Sequence, residues 1–230
     1  MVKISIIIPA KNEEDYVEGC LKSFKNQTFK DYELIIVDGF SNDKTELISK
    51  KYGKVVHQDG IGISNARNCG AKVAKGKILV FSDADVRVEK NFLSKVWKEF
   101  SKSKIGGAVP KIKVYDSKRY SIKFGYNIYK TIIDIANKIG KGSTIGGCFI
   151  FRKDIFEKVG GFNENLITVE DTDLARRVSK ISKFKKINVV AKISARRANN
   201  QNPLKYVLKS ITAYMIYSLN KRSYPPYWEY

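Results

Sequence analysis

A chain of 230 residues with 43% hydrophobic side chains is long enough to bury the core of one substantial domain. Three cysteines without a C-x-x-C pair and a lone histidine, His57, exclude a disulfide framework and a histidine-built metal site. The formal charge of +20 gathers toward the C-terminus, where thirteen Lys and Arg after Asp173 face one acid, Glu229; such a bias calls for an anionic partner.

The apolar run at residues 4–8 predicts a first strand and meets Pro9 too early for a secretory leader, so none is expected. A helical pattern follows at 13–24, with Val17, Cys20, Leu21 and Phe24 on one face. Strands are predicted at 33–37, 55–57 and 78–81, and helices at 43–52, 63–74 and 91–100. Short apolar strands alternating with amphipathic helices imply βαβ units and an α/β fold with a mostly parallel sheet, whose ligands sit at the carboxyl ends of the strands. The second half predicts a strand at 107–115, a basic amphipathic helix at 119–139, a strand at 148–151 with a short helix behind it, and a turn at Gly160-Gly161-Phe162. A helix at 170–182, a strand at 184–191 and a terminal helix at 204–220 complete the chain. With no repeat or Pro/Gly/Ser linker, the expected division is a catalytic unit at 1–202 and a basic amphipathic helix and tail at 203–230. The longest uncharged stretch, 210–220, is eleven residues. As a helix it would reach roughly 17 Å against about 30 Å of hydrocarbon, so no membrane crossing is expected.

Acidic residues fall just past two predicted strands: Asp38 after the second, and Ser82-Asp83-Ala84-Asp85 after the fourth. Two carboxylates one residue apart at a strand end form a compact oxygen site for a hard divalent cation, with positions left open for phosphate or water. The alternative is a solvated turn, which aspartate also favours. The junction Pro9-Ala10-Lys11-Asn12-Glu13-Glu14 carries neither dinucleotide nor P-loop fingerprint, so a nucleotide here must be held otherwise: a cation on Asp85 for the diphosphate, and Asp38 for a base N–H. Glu170-Asp171 opens a helix, which suits either a carboxylate base or simple complementarity to the helix dipole. Arg67 lies in the first turns of a helix, where a cation opposes the dipole; that placement suggests an anion in front of it, although a surface role is the alternative. Gly146-Gly147 permits either close approach of a ligand or a tight turn.

Ser5 to Glu13, Val37-Asp38-Gly39-Phe40-Ser41-Asn42-Asp43-Lys44-Thr45, Ala66-Arg67-Asn68-Cys69-Gly70-Ala71 and Asp83-Ala84-Asp85 together resemble glycosyltransferase family 2. Gly146-Gly147-Cys148-Phe149, Val159-Gly160-Gly161-Phe162 and Glu170-Asp171-Thr172-Asp173 are similar to that family's acceptor-side segments; the likeness runs over about three quarters of the chain. The resemblance implies a GT-A fold and inverting transfer from a nucleotide-diphosphate sugar, UDP-sugars being the usual donors. It further implies that Pro9, Ala10, Glu13 and Asp38 line the nucleoside pocket, and that Arg67, Asp83 and Ala84 meet the nucleotide. Asp85, with Asp83, would hold Mn2+ or Mg2+, and Asp171, beside Glu170, would be the base.

The chain departs from the pattern at Phe40, where glycine is usual, and a Q-x-x-R-W segment is missing. Ser194-Ala195-Arg196-Arg197 stands in a comparable place; Arg196 and Arg197 read either as a diphosphate clamp or as a solvated basic turn. The helix at 119–139 and the terminal helix, with Leu204, Val207, Leu208, Ile211, Met215 and Leu219 on one face, read either as core-packing helices or as elements of an anionic membrane interface. The expected acceptor is a glycan or a lipid-linked molecule, and the expected location is cytoplasmic, peripheral to the cytoplasmic membrane face. Two other functions fit the composition. A nucleic-acid binder suits +20, but no RNP1, KH or zinc-finger signature accompanies the charge, so no nucleic acid is expected. A metal-dependent nucleotidyltransferase on a similar sheet would release pyrophosphate instead of a nucleoside diphosphate.

Overall fold

The computed structural model describes residues 2–117, 119–144, 146–199 and 202–220. In the first half, β1 (Ile4–Ala10), α1 (Val17–Lys25), β2 (Tyr32–Asp38), α2 (Thr45–Ser49), β3 (Lys54–His57), α3 (Ile63–Val73) and β4 (Ile78–Ser82) follow the predicted alternation. A two-residue strand, β5 (Arg87–Val88), too short to show any periodicity, precedes α4 (Phe92–Lys102). The second half comprises β6 (Ile105–Val114), α5 (Tyr120–Lys138), β7 (Cys148–Arg152), α6 (Lys153–Lys158), α7 (Glu170–Ile181), β8 (Lys183–Ile193), α8 (Arg196–Asn199) and α9 (Pro203–Asn220).

Among the described residues, eight strands form one sheet in the order β3-β2-β1-β4-β7-β6-β8-β5. β3, β2, β1 and β4 run parallel, as do β6 and β8, while β7 is antiparallel to both of its neighbours and β5 is antiparallel to β8. Both faces of the central strands are covered, which is why their sequences read as unbroken apolar runs. Ile6 and Ile8 point to the face packed by Leu21, Phe24, Leu93 and Val96 of α1 and α4. Ile7, Val37 and Phe81 point to the other, against α3 and α7. Gly70 is the contact point of α3: a Cβ there would lie 2.4 Å from Cγ2 of Ile7, so any side chain would lift the helix off β1.

α1 starts at Val17 and not at residue 13, because the preceding turn is bonded to the segment beside it. The Glu13 N–H donates to Thr45 Oγ1 at 2.7 Å and the Glu14 N–H to Asp43 Oδ2 at 3.1 Å. These bonds cross-link the loops after β1 and β2. In β6 the pairing with β8 slips between Val109 and Lys111, around Pro110, which has no N–H to give. α9 packs against α5, so the two predicted parts of the chain meet through these helices. Among the described residues, no helix is long and apolar enough to cross a membrane.

Candidate active site

The register places Ala10 beside Asp38, and β4 ends next to them at Ser82, so three parallel strands deliver their carboxyl ends to one edge of the sheet. Pro9 and Ala10 form the floor, with the Ala10 carbonyl accepting the Gly39 N–H at 2.8 Å. Asp38 is buried; its two oxygens accept the Ser41 N–H at 3.0 Å and the Ser41 hydroxyl at 2.7 Å. The turn so fixed holds Phe40 at φ +59°, a left-handed conformation that bulky residues seldom adopt. Its ring stacks on the imidazole of His57 at 5.9 Å and remains mostly exposed, forming an aromatic wall at the rim. The ligand atoms of Asp38, Glu46 and His57 lie within 4.8 Å of one another, so His57, expected to belong to no metal site, does have two carboxylate neighbours. Lys50 and His57 both contact Glu46, and Ser41 donates one bond to each oxygen of Asp38, so both acids already have partners within the protein.

Past β4, the Asp83 N–H donates to the Gly147 carbonyl at 2.8 Å. Gly147 itself has φ +97°, and a Cβ there would meet Ile193 Cγ2 at 3.0 Å, so its glycine serves the turn that fastens the D-x-D segment. Gly146 differs: it is exposed and a Cβ on it would meet open space. Ala84 is buried between the two acids.

Arg67 projects from α3 with only 2% of its surface exposed. One guanidinium nitrogen lies 2.9 Å from Asp83 Oδ1 and another 2.5 Å from Glu170 Oε1, with the plane over the rings of Phe149 and Phe162 at 4.8 and 5.4 Å. The sequence suggested an anion in front of Arg67, expected to be the nucleotide. In the structure the anions are the protein's own, and Arg67 joins the D-x-D segment to the acidic pair. Glu170 and Asp171 are both buried in the first turn of α7, entered through Val169 at φ +57°. Asp171 Oδ1 accepts the Thr172 N–H at 2.7 Å. Burial pushes the Glu170 carboxyl up to about 7, against the pull of Arg67, and burial likewise raises Asp171. Three carboxylates around one guanidinium leave excess negative charge in a dry place.

Arg196, at the start of α8, reaches back across the site. Its Nε lies 3.0 Å from Asp85 Oδ2, a terminal nitrogen bonds Glu13, and its plane covers the Tyr16 ring at 4.2 Å. Arg196 thereby forms an internal ion bridge from the end of β8 to the D-x-D segment. Asp116 makes the turn that aims it, accepting from the Ser194 hydroxyl and, at 2.6 Å, from the Ala195 N–H. Arg197 follows in the same turn; its side chain lies outside the described residues. A divalent cation fits this donor set. Asp83 and Asp85 are hard oxygen donors one residue apart, a cationic group already sits against Asp85, and Glu13 Oε2 is buried without a hydrogen-bond partner.

Sequence reasoning missed Tyr16, whose ring supports Arg196, and the bond from Tyr217 of α9 to Asp173 at 2.5 Å, two residues from Asp171. Neither partner is near in sequence, and no motif marks them.

The family model "Glycosyl transferase family 2" matches residues 5–160. An uncharacterized glycosyltransferase of Rickettsia prowazekii is 29% identical over 214 residues, 86% of this chain and 66% of the relative. Chondroitin synthase of Pasteurella multocida is 29% identical over 199 residues, 81% of this chain but 20% of that protein. The match to EpsJ of Bacillus subtilis, at 33% identity, covers 44% of this chain and 31% of that relative, so the chain spans well under two thirds of such relatives. Among solved structures, the mannosyltransferase PcManGT from Pyrobaculum calidifontis, in complex with GDP-Man and Mn2+, superposes with a TM-score of 0.75 at 17% identity, covering 97% of this chain and 66% of the other. S. aureus TarS 1-349 in complex with UDP-GlcNAc gives 0.68 at 19% identity, covering 94% and 67%. The family match spans more than half of the chain and the likeness in fold spans nearly all of it: the chain is a GT-A-fold member of glycosyltransferase family 2.

Proposed function

We propose that this chain transfers a hexosyl group from a nucleotide-diphosphate sugar to an acceptor hydroxyl in one inverting displacement. The observation that carries the reading is the Arg67 bridge, which holds the D-x-D segment and the Glu170-Asp171 pair on opposite ends of one guanidinium at the carboxyl ends of the parallel strands. Inversion needs the base and the leaving diphosphate on opposite sides of the anomeric carbon, and two acidic segments from different parts of the fold meet that need. Asp171 takes the acceptor proton; a carboxylate kept dry and raised above its ordinary range is a better base for that purpose. The Thr172 N–H holds it in place while Arg67 anchors the neighbouring Glu170, and Asp38, at the bottom of the Phe40 turn, accepts from the nucleobase. Asp85 and Asp83 would hold Mn2+ or Mg2+, which when bound supplies positive charge to the departing diphosphate. The Mn2+ complexes among the structural neighbours support that choice, and UDP and UDP-GlcNAc complexes of TarS favour a UDP-sugar.

The acceptor is a glycan or a lipid-linked hydroxyl, met with the chain peripheral to the cytoplasmic face of an anionic membrane. Calorimetric titration of UDP- and GDP-sugars, each with and without Mn2+, tests the donor side: metal-assisted binding of one sugar nucleotide is expected, and none for any of them would overturn the reading. Product analysis should find a nucleoside diphosphate; pyrophosphate would make the chain a nucleotidyltransferase.

A further inference from the structure

A surface helix ordinarily turns its apolar side inward. α9 does the reverse. Among its described side chains the buried positions are Ser210, Ala213 and Tyr217, whereas Leu208, Met215 and Leu219, spaced along one side, are 54%, 55% and 78% exposed. The sequence assigned that same face to core packing or to an interface, and the structure leaves Leu208, Met215 and Leu219 of it outward, with Ile211 half-buried; the side chains of Leu204 and Val207 lie outside the described residues. α5, packed against α9, repeats the arrangement. Ile122, Ile133 and Ala136 face in, while Tyr120, Phe124, Ile128, Ile135 and Ile139 form an outer row at spacings of four and seven. Tyr120 and Phe124 stack on each other in that row at 6.4 Å, gaining no cover from the core.

The charges around these rows have one sign. α9 contains no acidic residue, and the one acid of α5, Asp134, is held by Lys186 at 2.8 Å. Lys138, Lys141, Lys205 and Arg119 stand exposed on or beside the same helices. Beyond α9 the sequence continues Lys221-Arg222 and then Tyr224, Tyr227, Trp228 and Tyr230, the basic and aromatic composition of a membrane–water boundary. Apolar rows bordered by cations alone complement a surface that is apolar beneath and anionic at its head groups.

These helices are also fastened to the catalytic segment. Tyr217 donates to Asp173, Arg176 donates to Ser218 Oγ at 2.7 Å and covers the Tyr214 and Tyr217 rings, and Tyr214 meets Ser143 at 3.0 Å. We propose that the outward faces of α5 and α9 are a docking surface for an anionic phospholipid bilayer, placing the Glu170-Asp171 end of the site toward a membrane-borne acceptor. The docking stands on the helices themselves; only the statement about the acceptor rests on the transferase reading.

The test uses the full chain with vesicles of phosphatidylcholine alone and of phosphatidylcholine mixed with phosphatidylglycerol, followed by flotation. Binding is expected to the anionic vesicles and not to the neutral ones. A Phe124→Ser/Leu219→Ser variant should bind about tenfold or more weakly, and Lys138→Glu/Lys205→Glu should bind more weakly at low salt and depend less steeply on salt than the parent. All four positions are exposed, so melting temperatures and sugar-nucleotide binding should match the parent, which separates failure of docking from failure of the donor site. Three results would overturn the proposal: no flotation, flotation indifferent to both variants, or a concentration-dependent dimer that Phe124→Ser/Leu219→Ser dissociates.

Discussion

Replacing Arg67 with Met keeps an unbranched stem under the Phe149 and Phe162 rings and deletes the cation shared by Asp83 and Glu170. Removing one partner of a buried ion pair costs about 3–5 kcal/mol, because the other charge stays behind without compensation. The two carboxylates do not suffer equally. Asp83 keeps 26% of its side chain in water and Glu170 only 10%, so most of the penalty falls on Glu170 and the lower end, about 3 kcal/mol, is the better figure. For a chain of this length each kcal/mol moves the melting temperature by about 2–4 °C, giving a drop of roughly 6–12 °C at neutral pH. Circular-dichroism melts of the parent, Arg67→Met and Arg67→Met/Glu170→Gln provide the comparison. The double variant should regain about half of the loss, since a neutral amide needs no counter-charge. A single variant melting within about 2 °C of the parent, or a double variant no more stable than the single one, would refute the idea that Arg67 neutralises a buried acidic cluster.

The same cluster sets an unusual pH dependence. Glu170 is raised from 4.5 to about 7, so the folded chain holds a proton that the unfolded chain releases; that contribution is fully present below about 4.5 and lost as pH rises through about 7. Asp171 acts in the same sense, and the metal-free protein should therefore melt higher near pH 5.5 than near pH 8; melting that climbs steadily with pH across this window would contradict the assignment. Arg196→Ala removes the guanidinium that competes for Asp85, and because the two side chains are 21% and 14% exposed and such a partly exposed pair is worth about 1 kcal/mol, Mn2+ without nucleotide should bind about fivefold more tightly by calorimetry. Unchanged or weaker Mn2+ binding would show that the guanidinium and the metal do not compete. Asp171→Asn should lower turnover by about 10²–10⁴-fold with donor binding intact, and full turnover would move the base elsewhere.

The alternation of apolar runs with amphipathic segments was enough to call an α/β sheet, because strands buried on both faces must be apolar throughout and their covering helices must carry one apolar side. Position then made Asp38, Asp83 and Asp85 conspicuous, since the first residues past a parallel strand are where ligands bind. What the linear order withheld was how these acids are neutralised. Arg67 is sixteen residues from Asp83 and 103 from Glu170, and Arg196 is 183 from Glu13, so nothing local in the sequence encodes either bridge. Periodicity likewise marks the apolar side of α9 but not the direction it faces. That direction is set with Tyr217, which bonds Asp173 from the inward side of the helix alongside Ser210 and Ala213. Residue types and their spacing determine which elements form, whereas pairings over a hundred residues, and the cost of burying charge without a partner, determine how the site is assembled.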